Sequence, residues 1–174
     1  MRNLDRIKYL IYHCTGSSQR ATMKGIMNHW RETMRWIHGG YQILIFPDGT
    51  AYFYNYHKNS YSYEEDFSYF RGSLHFITNG VSGYNSNSIH MSYVGGATGD
   101  DRTPQQKATM YNLTKQIIDI LPNKIDILGH RDLSKDLNGN GIITPDEWSK
   151  ICPSFDVIDW MNKTGLYNYL LSKN

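Results

Sequence analysis

Residues Thr103–His130 read TPQQKATMYNLTKQIIDILPNKIDILGH, and this stretch sets the fold class. Thr103 is placed to cap a helix, Pro104 takes the first helical position, and Gln106 stands at the capping-box position. The helix is expected to run to about Leu121, because Pro122 cannot continue it. Ile125-Asp126-Ile127-Leu128-Gly129-His130 then reads as a strand with a histidine at its end. Helix followed closely by apolar strand is the alternation of the α/β class.

Outward from there the pattern repeats. Lys8-Tyr9-Leu10-Ile11-Tyr12-His13 is an apolar, β-prone run that stops at Thr15-Gly16-Ser17-Ser18, and it too ends in histidine. Met23, Ile26, Met27, Trp30, Met34 and Ile37 recur at helical spacing, predicting a helix from about Thr22 to Trp36 that Gly39-Gly40 ends. Tyr41–Phe46 and Ala51–Tyr54, joined through Pro47-Asp48-Gly49-Thr50, read as a β-hairpin. Asn55–Phe70 is polar and tyrosine-rich and yields no assignment. Ser88–Val94 is another strand, closed by Gly95-Gly96, and a last helix is expected from Pro153 through Phe155, Val157, Ile158, Trp160 and Met161. With no internal repeat, low-complexity tract or linker, the expectation is a single domain over 1–174: one mixed β-sheet flanked by helices.

The bulk numbers exclude several classes. A chain of 174 residues, 40% hydrophobic and 20% charged, can bury a core without staples. A net charge of +2 is too small to argue for a nucleic-acid partner. No apolar run is long enough to span a bilayer, and Met1-Arg2-Asn3-Leu4-Asp5-Arg6 lacks the features of a signal peptide. The expectation is a soluble monomer made in the cytoplasm. Its 14 tyrosines can stack on sugars or simply fill the core.

His13 and His130 both end strands, and in open α/β sheets ligands bind beyond the carboxyl ends of the strands. Cys152, just before Pro153, is a third candidate. Two imidazoles and a thiolate suit Zn2+, and three protein ligands keep a fourth position for water or substrate. Spacing alone does not select this set. His29, His38, His57, His75 and His90 are also available, His90 being the strongest rival inside a predicted inner strand, and Cys14 could instead pair with Cys152 as a disulfide.

A resemblance selects among them. Ile11-Tyr12-His13-Cys14-Thr15, Gly40-Tyr41-Gln42-Ile43-Leu44-Ile45, Gly83–Ile89 with Tyr93-Val94-Gly95-Gly96, Arg102-Thr103-Pro104-Gln105, Gly129-His130-Arg131-Asp132-Leu133 and Lys150-Ile151-Cys152-Pro153 occur in an order that resembles the type 2 N-acetylmuramoyl-L-alanine amidases. That family includes phage lysozymes of the amidase kind and the peptidoglycan recognition proteins. The likeness extends from about Lys8 to Trp160. It implies His13, His130 and Cys152 as zinc ligands, Tyr41 and Lys150 as catalytic residues, and peptidoglycan as the partner. The reaction implied is cleavage of the muramic acid–L-alanine amide, on the cell wall, as by a phage endolysin. Many relatives carry His directly after that tyrosine, where this chain has Gln42. Some recognition proteins bind the wall without cutting it, typically when the cysteine ligand is replaced; here Cys152 is present. The loop Asn79–Asn85 matches a cleft-lining segment, making Tyr84 and Asn85 candidate substrate contacts, with a plain connector as the alternative.

One further motif stands apart. Asp136-Leu137-Asn138-Gly139-Asn140-Gly141-Ile142-Ile143-Thr144-Pro145-Asp146-Glu147 matches the EF-hand loop pattern. Asp136, Asn138, Asn140, the carbonyl of Ile142 and Glu147 would be the Ca2+ donors. The alternative is an Asx-rich turn held by side-chain-to-backbone bonds. Because the loop joins His130 to Lys150 and Cys152, a bound ion there would be structural.

Overall fold

The computed structural model describes residues 1–63 and 67–173. The strand that ends in His13-Cys14 is β1 (Tyr9–Cys14). It pairs in parallel with β5 (Ser88–Tyr93) on one side and β6 (Asp126–Gly129) on the other. Beyond β5 lies β2 (Ile43–Ile45), also parallel, followed by antiparallel β3 (Ala51–Asn55) and β4 (Ser60–Ser62). The order is therefore β4-β3-β2-β5-β1-β6, a mixed sheet as the sequence predicts. β4 falls in the stretch that gives no sequence assignment; it is three residues long and shows no apolar alternation. Residues 64–66 of that stretch lie outside the described residues, and α2 (Phe67–Leu74) follows them.

Side chains alternate across a strand, so register decides which face each residue serves. Leu10, Tyr12 and Cys14 join Ile43, Ile45, Ile89, Met91 and Tyr93 in the main core. That face is covered by α3 (Pro104–Ile120), α4 (Val157–Thr164) and α5 (Leu166–Leu171). The opposite face carries a smaller apolar cluster of Leu44 and Val94 under Ile26 and Trp30, from α1 (Met23–Asn28) and the π-helical turn His29–Thr33 that continues it. His13, Gln42, Ser88, His90 and Ser92 share that second face and are all buried.

The α3 start behaves as its sequence demands. Thr103 Oγ1 accepts from the Gln106 amide at 3.0 Å, and Gln106 Oε1 accepts from the Thr103 amide at 3.0 Å. The same residues also tie the helix to the sheet: Thr103 donates to the Pro47 carbonyl at 2.6 Å, and Gln106 Nε2 to the carbonyls of Ile45 and Val94 at 3.1 and 3.0 Å.

Two predicted helix limits are corrected. The first helix ends by Thr33, and Arg35 takes φ 56°, so the segment through Trp36 is not helical. Met34 and Ile37 belong to no buried stripe: they are 38% and 79% exposed, and beyond Trp30 only Trp36 of this segment packs on the cluster, from outside the helix. The last helix starts at Val157, because Asp156 caps it by accepting from the Asp159 amide at 2.8 Å. Pro153 and Phe155 lie in the preceding loop.

Replacing Thr103 with Ala removes the cap and the bond to Pro47. The expected cost is ~1–2 kcal/mol, read as a lower urea midpoint at unchanged slope. An unchanged midpoint would show that the cap carries no stability here.

Candidate metal centre

In β1–β6 pairing Tyr12 stands beside Gly129, so the next residues on each strand, His13 and His130, emerge side by side. Their ring centroids are 4.9 Å apart. Cys152 comes from far along the chain and is held from two directions. The Arg131 amide donates to its carbonyl at 2.6 Å. Gly129 lets the following proline approach the strand, since a Cβ there would lie 2.7 Å from Pro153 Cδ. Arg131 itself is buried over the Trp148 ring at 4.2 Å, with Asp156 at 3.3 Å.

The result is a group of three ligand atoms, from His13, His130 and Cys152, all within 4.8 Å of one another. Cys152 Sγ lies 3.6 Å from His13 Nδ1. Tetrahedral zinc with Zn–N of ~2.0–2.1 Å and Zn–S of ~2.3 Å requires an N···S edge of about 3.6 Å. The residues present fit that ion.

Protonation supports the same reading. Burial, then the repulsion a charged His13 would meet from His90, His130 and Lys150, hold it well below its ordinary pKa. Burial and the Lys150 charge bring His130 down to about 4. Both imidazoles are thus neutral near pH 7, with lone pairs to give. Both cysteines are free thiols, which leaves the disulfide alternative without a bond. Hydrogen bonds at Cys14 lower its pKa to about 6, and the Cys14 contact together with burial pushes Cys152 up. A cation on the imidazoles would reverse that preference, because the Cys152 sulfur is the one that faces them.

Tyr41, at the entry to β2, sets its ring 4.8 Å from that of His13, tilted by 39°, and points its hydroxyl at the Cys14 carbonyl, 3.5 Å away. Burial and then the two thiols push its pKa up, so the phenol keeps its proton. Tyr61 on β4 donates to the Tyr41 carbonyl, while the Trp30 edge meets the Tyr41 ring at 5.5 Å. Lys150 is exposed and lines a cleft of about 840 Å³ that His130 borders, together with Trp36, Asn79, Asn85 and Trp148. A second hollow of about 290 Å³ is lined by Tyr41 together with Thr15, Ser17 and His29.

The candidate substrate contacts separate. Asn85 lines the cleft, but its Oδ1 already accepts from the Val81 amide at 2.8 Å. Tyr84 packs edge-on against Tyr9, 5.6 Å away, at the other end of β1 from His13. In the 136–147 loop, Asp136 accepts from the amides of Gly139 and Gly141, Asn138 from Asn140, and Asn140 from Ile142, at 2.6–3.0 Å. Glu147 is buried and accepts from the amides of Leu137, Asn138 and Thr144 and from the Thr144 hydroxyl.

Sequence reasoning missed the support of Tyr41 by Tyr61 and the setting of His90. His90 Nδ1 is 3.1 Å from His13 Nε2. Burial, Arg2 and His130 lower its pKa to about 3. Gln42, at the position of the family's histidine, is buried and accepts the His90 amide at 2.7 Å. The register of β5 between β1 and β2 brings His90 to His13 and to Gln42.

Against this geometry, residues 3–154 match the N-acetylmuramoyl-L-alanine amidase family, Amidase_2. The chain belongs to that family. An endolysin of Enterobacteria phage K11 is 27% identical over 161 residues, 88% of this chain and 83% of that protein. An uncharacterized protein of Haemophilus influenzae is 42% identical over 93 residues, 51% of this chain and 79% of its own length. Among solved structures, the complex of tracheal cytotoxin with the peptidoglycan recognition proteins LCa and LCx aligns at a TM-score of 0.64 and 17% identity, covering 91% of this chain and 82% of that one. Family and fold are those the sequence motifs imply.

The three depressed histidines set a pH dependence. From the ordinary value of 6.5 down to about 4, the unfolded chain binds protons that the folded chain refuses, so stability falls as pH falls. Asp132, raised by burial, opposes this with one group against three. Urea midpoints of chelator-treated protein should therefore drop steadily from about pH 7 to about pH 4.5. A midpoint that holds level or rises over that span contradicts the burial of neutral imidazoles.

Proposed function

We propose that this chain is a zinc-dependent amidase that hydrolyses the bond between the muramic acid lactyl group and L-alanine of peptidoglycan, in the manner of a phage endolysin. The observation that carries this reading is the convergence of His13, His130 and Cys152 at the edge of a large cleft, beside Tyr41 and Lys150. Zinc bound by those three would supply Lewis acidity toward the amide carbonyl and toward water at neutral pH.

The protein's own groups do the rest. Lys150 brings a positive charge to the cleft edge next to His130, where it can stabilise negative charge developing on the amide oxygen. Tyr41 keeps its proton and so acts as a hydrogen-bond donor rather than a base. His13 is fully enclosed, so it binds and orients, while half-buried His130 faces the cleft where substrate enters. The cleft that His130 borders and the hollow that Tyr41 lines suit a substrate with two arms, such as a glycan carrying a peptide stem.

The fold likeness to peptidoglycan recognition proteins favours a second reading, a module that binds the wall without cutting. The presence of Cys152 weighs against it, since a sulfur ligand has no use in a groove that only binds. Native mass spectrometry of wild-type protein is expected to show one bound zinc, absent in Cys152→Ser, and amino groups released from cell walls should fall to background in that variant. Lys150→Ala should keep the metal and lose roughly 100- to 1000-fold in kcat. Undiminished amino-group release by metal-stripped protein would overturn the mechanism.

For the 136–147 loop we infer a structural Ca2+ site. Support comes from the match at every ligand position and from Asp136, which ties the first loop position to Gly141 at the sixth. The ion would take over carboxylate lone pairs of Glu147 that backbone amides now occupy. Millimolar Ca2+ is expected to give binding heat and a higher Tm, lost in Glu147→Gln; absence of heat together with an unmoved Tm disposes of the site.

A further inference from the structure

His90 is the histidine that the sequence offers as a rival ligand. The structure gives it different work. Both His90 and His13 are wholly buried, and their rings meet through His13 Nε2 and His90 Nδ1 at 3.1 Å. The other His13 nitrogen, Nδ1, faces Cys152 Sγ. An imidazole that gives Nδ1 to a metal carries its proton on Nε2, and a buried N–H needs an acceptor. His90 Nδ1 is that acceptor. Two neutral imidazoles can share one hydrogen bond only in one sense, so His90 then carries its own proton on Nε2, a buried nitrogen that meets no hydrogen-bond partner among the described residues; that orphaned donor is the cost of the arrangement.

His90 is held in place through its backbone and by the close approach of Gly80. Its amide donates to Gln42 Oε1 at 2.7 Å, and its carbonyl accepts from the Gln42 amide at 3.0 Å. Gln42 in turn takes the Thr78 hydroxyl on the same oxygen at 3.0 Å and donates to the Phe76 carbonyl at 2.8 Å. The ring lies against the backbone of Gly80, where any Cβ would fall 2.3 Å from His90 Cγ and Nδ1. Strand β5 and Gln42 thus fix the His90 backbone, and Gly80 packs directly on the ring.

We propose that His90 is a positioning residue for the metal site: it accepts the His13 Nε2–H and so fixes the tautomer and ring angle that present His13 Nδ1 to zinc, with Gln42 and Gly80 holding His90 in place. Such outer-shell partners of a ligating histidine typically govern metal affinity by 10- to 100-fold. The inference rests on the zinc reading above, and the test separates the two.

Zinc affinity is measured by competition with a chromophoric chelator for wild type, His90→Phe and His90→Asn. Phe keeps a ring in the space but offers no acceptor, whereas the Asn side-chain oxygen can stand near the Nδ1 position. His90→Phe should bind zinc roughly 10- to 100-fold more weakly, with His90→Asn recovering most of the loss. In zinc-loaded wild type, 15N ring correlation spectra should place the His13 proton on Nε2 and the His90 proton on Nε2 as well, a readout that requires no variant to fold. Equal zinc affinity in all three proteins, or a His90 proton found on Nδ1, overturns the positioning role alone. Failure of wild type to bind zinc at all overturns the underlying metal assignment instead.

Discussion

The parallel register of β1 against β6 is the constraint from which the site follows. With Tyr12 beside Gly129, His13 and His130 leave the sheet as neighbours, and the loop that starts at His130 returns Cys152 to them. A slip of β1 by one residue would turn His13 into the face that packs on α3 and bring Tyr12 into the polar one. The core therefore enforces the site: Leu10, Tyr12 and Cys14 are buried among apolar side chains, and a one-residue slip would take all three out of them.

The second face of the sheet is an unusual place to spend burial. His13, Gln42, Ser88, His90 and Ser92 are all enclosed there, and buried polar groups are costly unless bonded. Gln42 answers much of that demand by meeting β5, Thr78 and Phe76 at once. The same enclosure keeps the imidazoles uncharged, so what weakens the fold in acid is also what readies these side chains for a cation.

Much of this was legible from residues. Thr103, Pro104 and Gln106 foretold the α3 start because capping is local chemistry that no distant contact had to supply. The β1, β5 and β6 strands were readable as short apolar runs with polar stops. Which histidines mattered was not readable from spacing, and the family motifs named His13, His130 and Cys152, which the fold then brought together. Met34 and Ile37 misled because helical spacing does not say whether anything lies beneath a helix. The edge strand β4 escaped because three residues without apolar alternation carry no periodic signal, and the His90–His13 contact because its partners lie 77 residues apart.

The division of the sheet into two faces has an evolutionary consequence. What keeps the domain folded lies chiefly under α3 and α4, while His13, His90 and Gln42 sit on the far side of the same strands. Selection can therefore alter the chemistry of one surface while the architecture persists on the strength of the other. A lineage that abandons cutting would keep its groove, and a receptor could descend from an enzyme by a few substitutions without passing through an unfolded ancestor.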